Sequence, residues 1–259
     1  MAREKTYIIG NWKMNNNVHE GSLLVHKLST LVKVRRDVEV VLAPTVLGLQ
    51  SLSLQVNRRQ FKLAAQNFYW RDHGAFTGEV SAAQLKGLVE YALVGHSERR
   101  HVFGEHDKDI RSKVQAALRN DIKPVLCVGE TATERANNET KDVLADQILG
   151  GLANVTSEEI SKVVVAYEPV WAIGTGDFAG PDDVIAAVRT IRSQVKHLFG
   201  EEAAMKLPIL YGGSVSLDNA NAFLSIPEVD GLLIGGASLD SYIFSEIVKL
   251  AHKPNTKIV

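Results

Sequence analysis

Cysteine is almost absent from this chain. Cys127 is the only one, so no disulfide can form within the chain and a packed core has to hold it together. A lone thiol fits a reducing compartment. Long apolar runs are missing too: none approaches the roughly 20 residues of a membrane span. Neither sign of charge prevails, since 29 Lys and Arg face 30 Asp and Glu for a net charge of −1. That balance argues against nucleic acid or an anionic membrane as partner, and it makes any anion site local. The opening residues, Met1-Ala2-Arg3-Glu4-Lys5, are charged and lead into a strand-like run, which is neither a signal peptide nor a transit peptide. The expectation is a cytoplasmic protein. No linker, low-complexity segment or composition shift divides the chain, so residues 1–259 are read as a single domain.

What is present is repetition. Short apolar, β-branched runs recur eight times, at residues 6–12, 38–43, 61–66, 91–95, 123–128, 162–168, 207–211 and 229–234. Their nearly continuous apolar character suits parallel strands buried on both faces. Between them lie longer segments with helical periodicity. Ile110, Val114, Ala117 and Leu118 share one face, and Val184, Ala187, Val188, Ile191 and Val195 share another. Pro181 suits a first helical position, followed by Asp182 and Asp183 at the positive end of the dipole. Ser216 stands before a second such start. Eight strand–helix repeats predict an α/β fold closed as a single (β/α)8 barrel. An open doubly wound sheet is the alternative, but the pattern shows no switch, and the 259 residues suit one barrel.

The connection at residues 67–78, Asn-Phe-Tyr-Trp-Arg-Asp-His-Gly-Ala-Phe-Thr-Gly, is unusually long. Such loops tend to be functional. Its aromatics call for burial, either on the chain's own barrel or against a second surface.

In such barrels the C-terminal strand ends build the site. The first run ends Gly10-Asn11-Trp12-Lys13, an amide and an ammonium two positions apart on one strand face. Lys13 suits an anion and Asn11 a carbonyl or hydroxyl. Alone, the pair reads as a solvated lysine beside a turn asparagine. The fourth run ends Gly95-His96-Ser97-Glu98-Arg99-Arg100. His96 suits a general acid or polarising donor, or else a structural cap. His96, His101 and His106 recur every five residues, a spacing that shares neither a helix face nor a strand face, so no metal site is expected. Glu98, Arg99 and Arg100 read as an ion-pair network that fixes the loop. The sixth run delivers Glu168. Pro169 holds it extended at the strand end, beneath an apolar segment ending in Gly174 and Gly176. A base under a lid suits an intermediate that must be kept from water. A salt-bridged carboxylate is the plainer reading. The last two runs end Tyr211-Gly212-Gly213-Ser214 and Ile234-Gly235-Gly236-Ala237-Ser238. Two Gly-Gly pairs after successive strands let backbone N–H groups cradle an anion, where barrels often bind phosphate.

These motifs carry a resemblance. Over nearly its whole length the chain resembles the triosephosphate isomerase family. The matching segments are Asn11-Trp12-Lys13, Gly74-Ala75-Phe76-Thr77-Gly78-Glu79-Val80-Ser81, Gly95-His96-Ser97-Glu98-Arg99-Arg100, Ala166-Tyr167-Glu168-Pro169-Val170-Trp171-Ala172-Ile173-Gly174-Thr175-Gly176 and Tyr211-Gly212-Gly213-Ser214. The resemblance implies a TIM barrel that interconverts dihydroxyacetone phosphate and D-glyceraldehyde 3-phosphate through an enediolate, in glycolysis and gluconeogenesis. It implies Glu168 as base, His96 as neutral electrophile, Lys13 as the stabilising cation and Asn11 as a positioning amide. Gly174, Ser214, Gly235 and Gly236 would hold the phosphate. Pro169, Val170, Trp171, Ala172, Ile173, Gly174, Thr175 and Gly176 would form the lid. Thr77 and Glu79 would lie on a loop reaching into a second subunit, making a homodimer. No metal or organic cofactor is implied. One departure is Gly180, where relatives commonly carry threonine or serine before the proline; glycine is a tolerable cap. Val18-His19-Glu20-Gly21 and Gln84-Leu85-Lys86-Gly87 also read less typically. Another enzyme on the same barrel, or a non-catalytic binder, would not need Asn11, Lys13, His96 and Glu168 together.

Overall fold

A computed structural model describes residues 5–173 and 179–252. Eight parallel strands close in sequence order into a barrel. They are β1 (Thr6–Asn11), β2 (Val38–Ala43), β3 (Lys62–Ala65), β4 (Tyr91–Val94), β5 (Lys123–Val128), β6 (Val164–Tyr167), β7 (Ile209–Tyr211) and β8 (Gly231–Ile234). Closure comes from β1, which pairs with β2 from Thr6↔Val38 to Asn11↔Ala43 and with β8 from Tyr7↔Gly231 to Gly10↔Ile234. The strands fall at the expected runs, most of them shorter by a residue or two. The largest difference is at the sixth, where Lys162 belongs to a 3₁₀ turn, Glu159–Lys162, and the strand starts at Val164.

Alternation along the strands divides the core in two. Ile9, Val41, Leu93, Val125, Ala166 and Leu233 fill the barrel interior. Ile8, Val40, Val94, Leu126, Val165 and Ile234 pack outward with the helices. The expected helix faces are the buried ones. Ile110, Val114, Ala117 and Leu118 lie inward on the helix Asp107–Arg119. Val184, Ala187, Val188, Ile191 and Val195 do so on Pro181–Phe199. Gly180 caps that second helix with its backbone alone, and its N–H donates to Asp183 at 3.2 Å. Capping boxes that pair Asn17 with Glu20, Ser81 with Gln84 and Thr131 with Glu134 start other helices.

The N-terminal mouth of the barrel is plugged. Tyr91 Oη donates to Glu39 Oε1 at 2.6 Å, and Lys5 pairs with Glu39 at 2.5 Å. Burial alone would raise the Glu39 pKa, but the bonds from Lys5 and Tyr91 outweigh it and hold the carboxyl below the usual range. The opposite mouth is the open one.

The long connection after β3 is held in part by its own chain. Its stem packs on its own barrel. The Tyr69 N–H donates to the Val80 carbonyl at 2.8 Å. Arg119 holds Asp72 at 2.9 Å and the Trp70 carbonyl at 2.8 Å. Tyr69 stacks on Trp70, with ring centroids 4.1 Å apart, and packs tilted against Phe76. The tip turns outward: Thr77 and Glu79 are exposed, and Phe76 keeps 39% of its surface in solvent.

Candidate active site

A cavity of about 680 Å³ opens at the C-terminal mouth. Asn11, Lys13, His96 and Glu168 line one part of it, and Ser214, Gly235 and Gly236 line another. Strand ends far apart in sequence therefore converge on one space, as barrel closure requires. Gly174, Thr175 and Gly176 lie outside the described residues. Of the segment expected to form a lid, Pro169 to Ile173 are described, and Val170–Ala172 forms a 3₁₀ turn.

Glu168 is 2% exposed and held from several sides. Its backbone N–H donates to the Val128 carbonyl at 2.7 Å. A Cβ on Gly129 would stand 1.8 Å from the Glu168 carbonyl oxygen, so only glycine lets β5 and β6 approach this closely. The Ser97 N–H donates to Glu168 Oε2 at 3.0 Å, while Oε1 lies 3.1 Å from His96 Nε2. Cys127 lies beneath. Burial, reinforced by the Glu168 carboxylate, pushes its thiol pKa up, which keeps it protonated and unreactive.

The protonation of His96 follows from one contact. Its Nδ1 accepts the backbone N–H of Glu98 at 3.2 Å. A backbone N–H can only donate, so Nδ1 carries no proton. The imidazole is then neutral, with its proton on Nε2 beside Glu168. The same contact makes His96 the cap of the short helix Ser97–His101.

Lys13 reaches the cavity by an unexpected route. β1 ends at Asn11, and Lys13 has a φ of 52°. Strand alternation therefore does not carry through to it; a left-handed turn turns the backbone. That conformation costs an L-residue roughly 1–2 kcal/mol, so its surroundings must hold it. The Lys13 N–H donates to Asn11 Oδ1 at 3.1 Å, and its ammonium pairs with Glu98 Oε1 at 2.6 Å. Glu98, Arg99 and Arg100 each form an ion pair, as expected, with a partner outside the motif. Glu98 takes Lys13, Arg99 takes Glu105, and Arg100 takes Asp107 at 2.7 Å. Arg100 also donates to the Gly95 and Cys127 carbonyls at 2.8 and 3.2 Å, tying β4 to β5.

At the glycine pairs, a Cβ on Gly213 would lie 2.3 Å from Tyr211 Oη, and one on Gly212 would lie 3.0 Å from Glu168 Cγ. A Cβ on Gly236 would meet no protein atom within 4 Å. Gly213 is therefore required by packing and Gly212 sits tightly against the Glu168 side chain, whereas Gly236 leaves room at the cavity wall. The Ser214 hydroxyl donates to the Ala172 carbonyl at 2.5 Å. Its single proton is thus engaged, and an anion there would meet backbone N–H groups first.

Several contacts escaped the sequence reading. Glu130 is fully buried, taking Trp171 Nε1 at 2.9 Å and the Tyr167 hydroxyl at 3.1 Å. The Arg135 guanidinium covers Trp171 at 3.9 Å. Gln66 reaches Lys13 from the end of β3. No motif marks these residues; their partners are supplied by neighbouring strands. Among the described residues, no three His, Cys, Asp or Glu side chains are arranged to hold a metal ion. None of the described helices is long and apolar enough to cross a membrane.

The fold and the cavity define a (β/α)8-barrel protein whose titratable groups meet at the C-terminal mouth of the barrel. Within that class the chain belongs to the triosephosphate isomerase family, whose model, described as Triosephosphate isomerase, matches residues 6–251. It is 45% identical over 249 residues to the triosephosphate isomerase of Chloroherpeton thalassium, covering 95% of this chain and 99% of that one. It is 45% identical over 242 residues to the triosephosphate isomerase of Clostridium acetobutylicum, covering 93% and 97%. It is 43% identical over 242 residues to the triosephosphate isomerase of Caldanaerobacter subterraneus, again covering 93% and 97%.

Proposed function

We propose that this chain interconverts dihydroxyacetone phosphate and D-glyceraldehyde 3-phosphate, serving glycolysis and gluconeogenesis. The observation that supports it best is the pairing of Glu168 with a neutral His96 at 3.1 Å, in a cavity that Lys13 also lines. Glu168 takes a proton from C1 of the ketone. The C–H electron pair forms the C1–C2 double bond, and the carbonyl π pair moves onto oxygen. His96 Nε2–H donates to that oxygen, and the Lys13 ammonium offsets its charge. The proton of the C1 hydroxyl then passes to the C2 oxygen, and as the O1 electron pair forms the C1 carbonyl the C1–C2 π pair takes the proton back from the Glu168 carboxyl at C2, giving the aldehyde. Hydrogen is redistributed within one molecule with no net redox change, so neither a metal nor an organic cofactor enters the scheme.

Asn11, 4% exposed, orients the substrate beside Lys13. Backbone N–H groups around Ser214, Gly235 and Gly236 receive the phosphate, whose binding energy is available to align the reacting carbons. Gly174 belongs to this set by family resemblance. The lid, Pro169 to Gly176, shields the enediolate, which in water would eliminate phosphate.

A homodimer is part of the same proposal. Thr77 and Glu79 stand on the outward tip, beside a half-exposed Phe76. Met14, Leu47 and Phe103 expose 95%, 77% and 66% of their surfaces. Apolar side chains so exposed suit a covered face better than a solvated one. The buried, protonated Cys127 suits the reducing cytoplasm.

Turnover of glyceraldehyde 3-phosphate, read as dihydroxyacetone phosphate in an assay coupled to its reduction with chelator present, tests the proposal. Rapid chelator-resistant turnover is expected. A folded, dimeric protein without turnover would turn attention to a binder or another sugar phosphate.

A further inference from the structure

Gln66 follows directly on Ala65, the last residue of β3, and the proposed reaction gives it no role. Its Nε2 donates to the Lys13 carbonyl at 2.9 Å and to the Ala43 carbonyl at 2.8 Å. Both partners are carbonyl oxygens, which only accept, so their chemistry sets the orientation of the amide. The Ala43 carbonyl also accepts the Trp12 N–H at 3.1 Å, where β1 and β2 run out. One amide group therefore joins the ends of three neighbouring strands.

The left-handed turn at Lys13 makes this contact matter. Lys13 has passed the end of β1, and its two backbone polar groups are both held by side chains. Asn11 accepts its N–H and Gln66 donates to its carbonyl. A residue with φ of 52° returns towards extended geometry once such bonds are lost. That relaxation would redirect the side chain, and with it the ammonium that meets Glu98 at 2.6 Å.

We propose that Gln66 is a positioning residue: its amide bridges the Lys13 and Ala43 carbonyls and locks Lys13 in the left-handed conformation that aims its ammonium into the cavity. The proposal rests on the reading of Lys13 as the cation of the site. Its distinctive content is that Gln66 acts through Lys13 and not as a general support of the fold.

A double-mutant cycle separates the two. Gln66→Met keeps the length of the side chain and removes its donors. It is made in the full chain alone and together with Lys13→Ala. For each protein kcat, KM and the dissociation constant of inorganic phosphate are measured, with mass and thermal midpoint as controls. Alone, Gln66→Met is expected to lower kcat/KM by roughly 10- to 100-fold, the scale on which a displacement of about 1 Å acts. It should also weaken phosphate binding. In the Lys13→Ala background the same change should alter both quantities less than about twofold, because coupled residues are not additive. Equal losses in the two backgrounds would overturn the proposal, as would a Gln66→Met protein with unchanged kcat/KM and phosphate binding. If Gln66→Met does not fold, Gln66→Asn, one methylene too short for both carbonyls, carries the same comparison. Absence of turnover in the unmodified chain would instead strike the proposed function, and the phosphate-binding cycle would still decide whether Gln66 acts through Lys13.

Discussion

His96 Nε2 lies 3.1 Å from Glu168 Oε1, and the Glu98 N–H fixes the other ring nitrogen as an acceptor. A neutral donor and a carboxylate thus face each other across the strand ends of β4 and β6. Nitrogen NMR of imidazole-labelled protein should show Nε2 protonated and Nδ1 bare at neutral pH. A doubly protonated ring there would contradict the acceptor role of Nδ1.

Glu168→Gln keeps the shape of the side chain and removes its basicity. Turnover should fall by at least about 100-fold, the lower range for a lost general base. Binding of a phosphate-bearing competitive inhibitor should remain measurable, because the glycine pairs are untouched. Unchanged turnover would dismiss Glu168 as the base.

Thr77→Arg places a long cation on the outward tip of the 67–78 connection. If that tip enters a partner subunit, dissociation should appear at low protein concentration as a mass approaching that of one chain. Light scattering across a dilution series measures it. A mass that stays at two chains would count against the tip as an interface element.

The Glu39 plug carries a pH signature. Its folded-state pKa lies below the unfolded one, because the Lys5 and Tyr91 bonds outweigh burial. Its stabilisation is therefore fully present above the ordinary carboxylate pKa of about 4.3 and is lost as pH falls through the folded value. Glu39→Gln should cost about 2 kcal/mol at neutral pH, the scale of hydrogen bonds to a charged group. Urea melts of the two proteins should converge in acid. A difference that does not shrink below pH 4 would exclude this origin.

Much of the site was legible along the chain because its chemistry sits at strand ends. Pro169 after Glu168, the two Gly-Gly pairs and His96 after an apolar run each carry a local signal. The ion pairs expected of Glu98, Arg99 and Arg100 formed, but with partners that the motif does not contain. Three charges in succession on one short helix point in different directions, and each found a partner outside that helix. Lys13 was expected on the strand face of Asn11. It arrives in the same cavity through a left-handed turn that no residue type announces. Glu130 and Gln66 were invisible because a buried carboxylate or a bridging amide is defined by its partners. Those of Gln66 lie 53 and 23 residues away.

The sequence by itself determined eight strand–helix repeats, the faces they bury and the chemical groups delivered at each strand end. These depend on periodicity and residue type, which act over a few neighbours. Only the tertiary structure decided which groups meet. Closing β8 onto β1 sets the register of all eight ends, bringing Glu168 to His96 and Gln66 to Lys13. Distances of about 3 Å between residues tens of positions apart arise from that closure, because a hydrogen bond requires a partner at a particular place and local propensity cannot supply one.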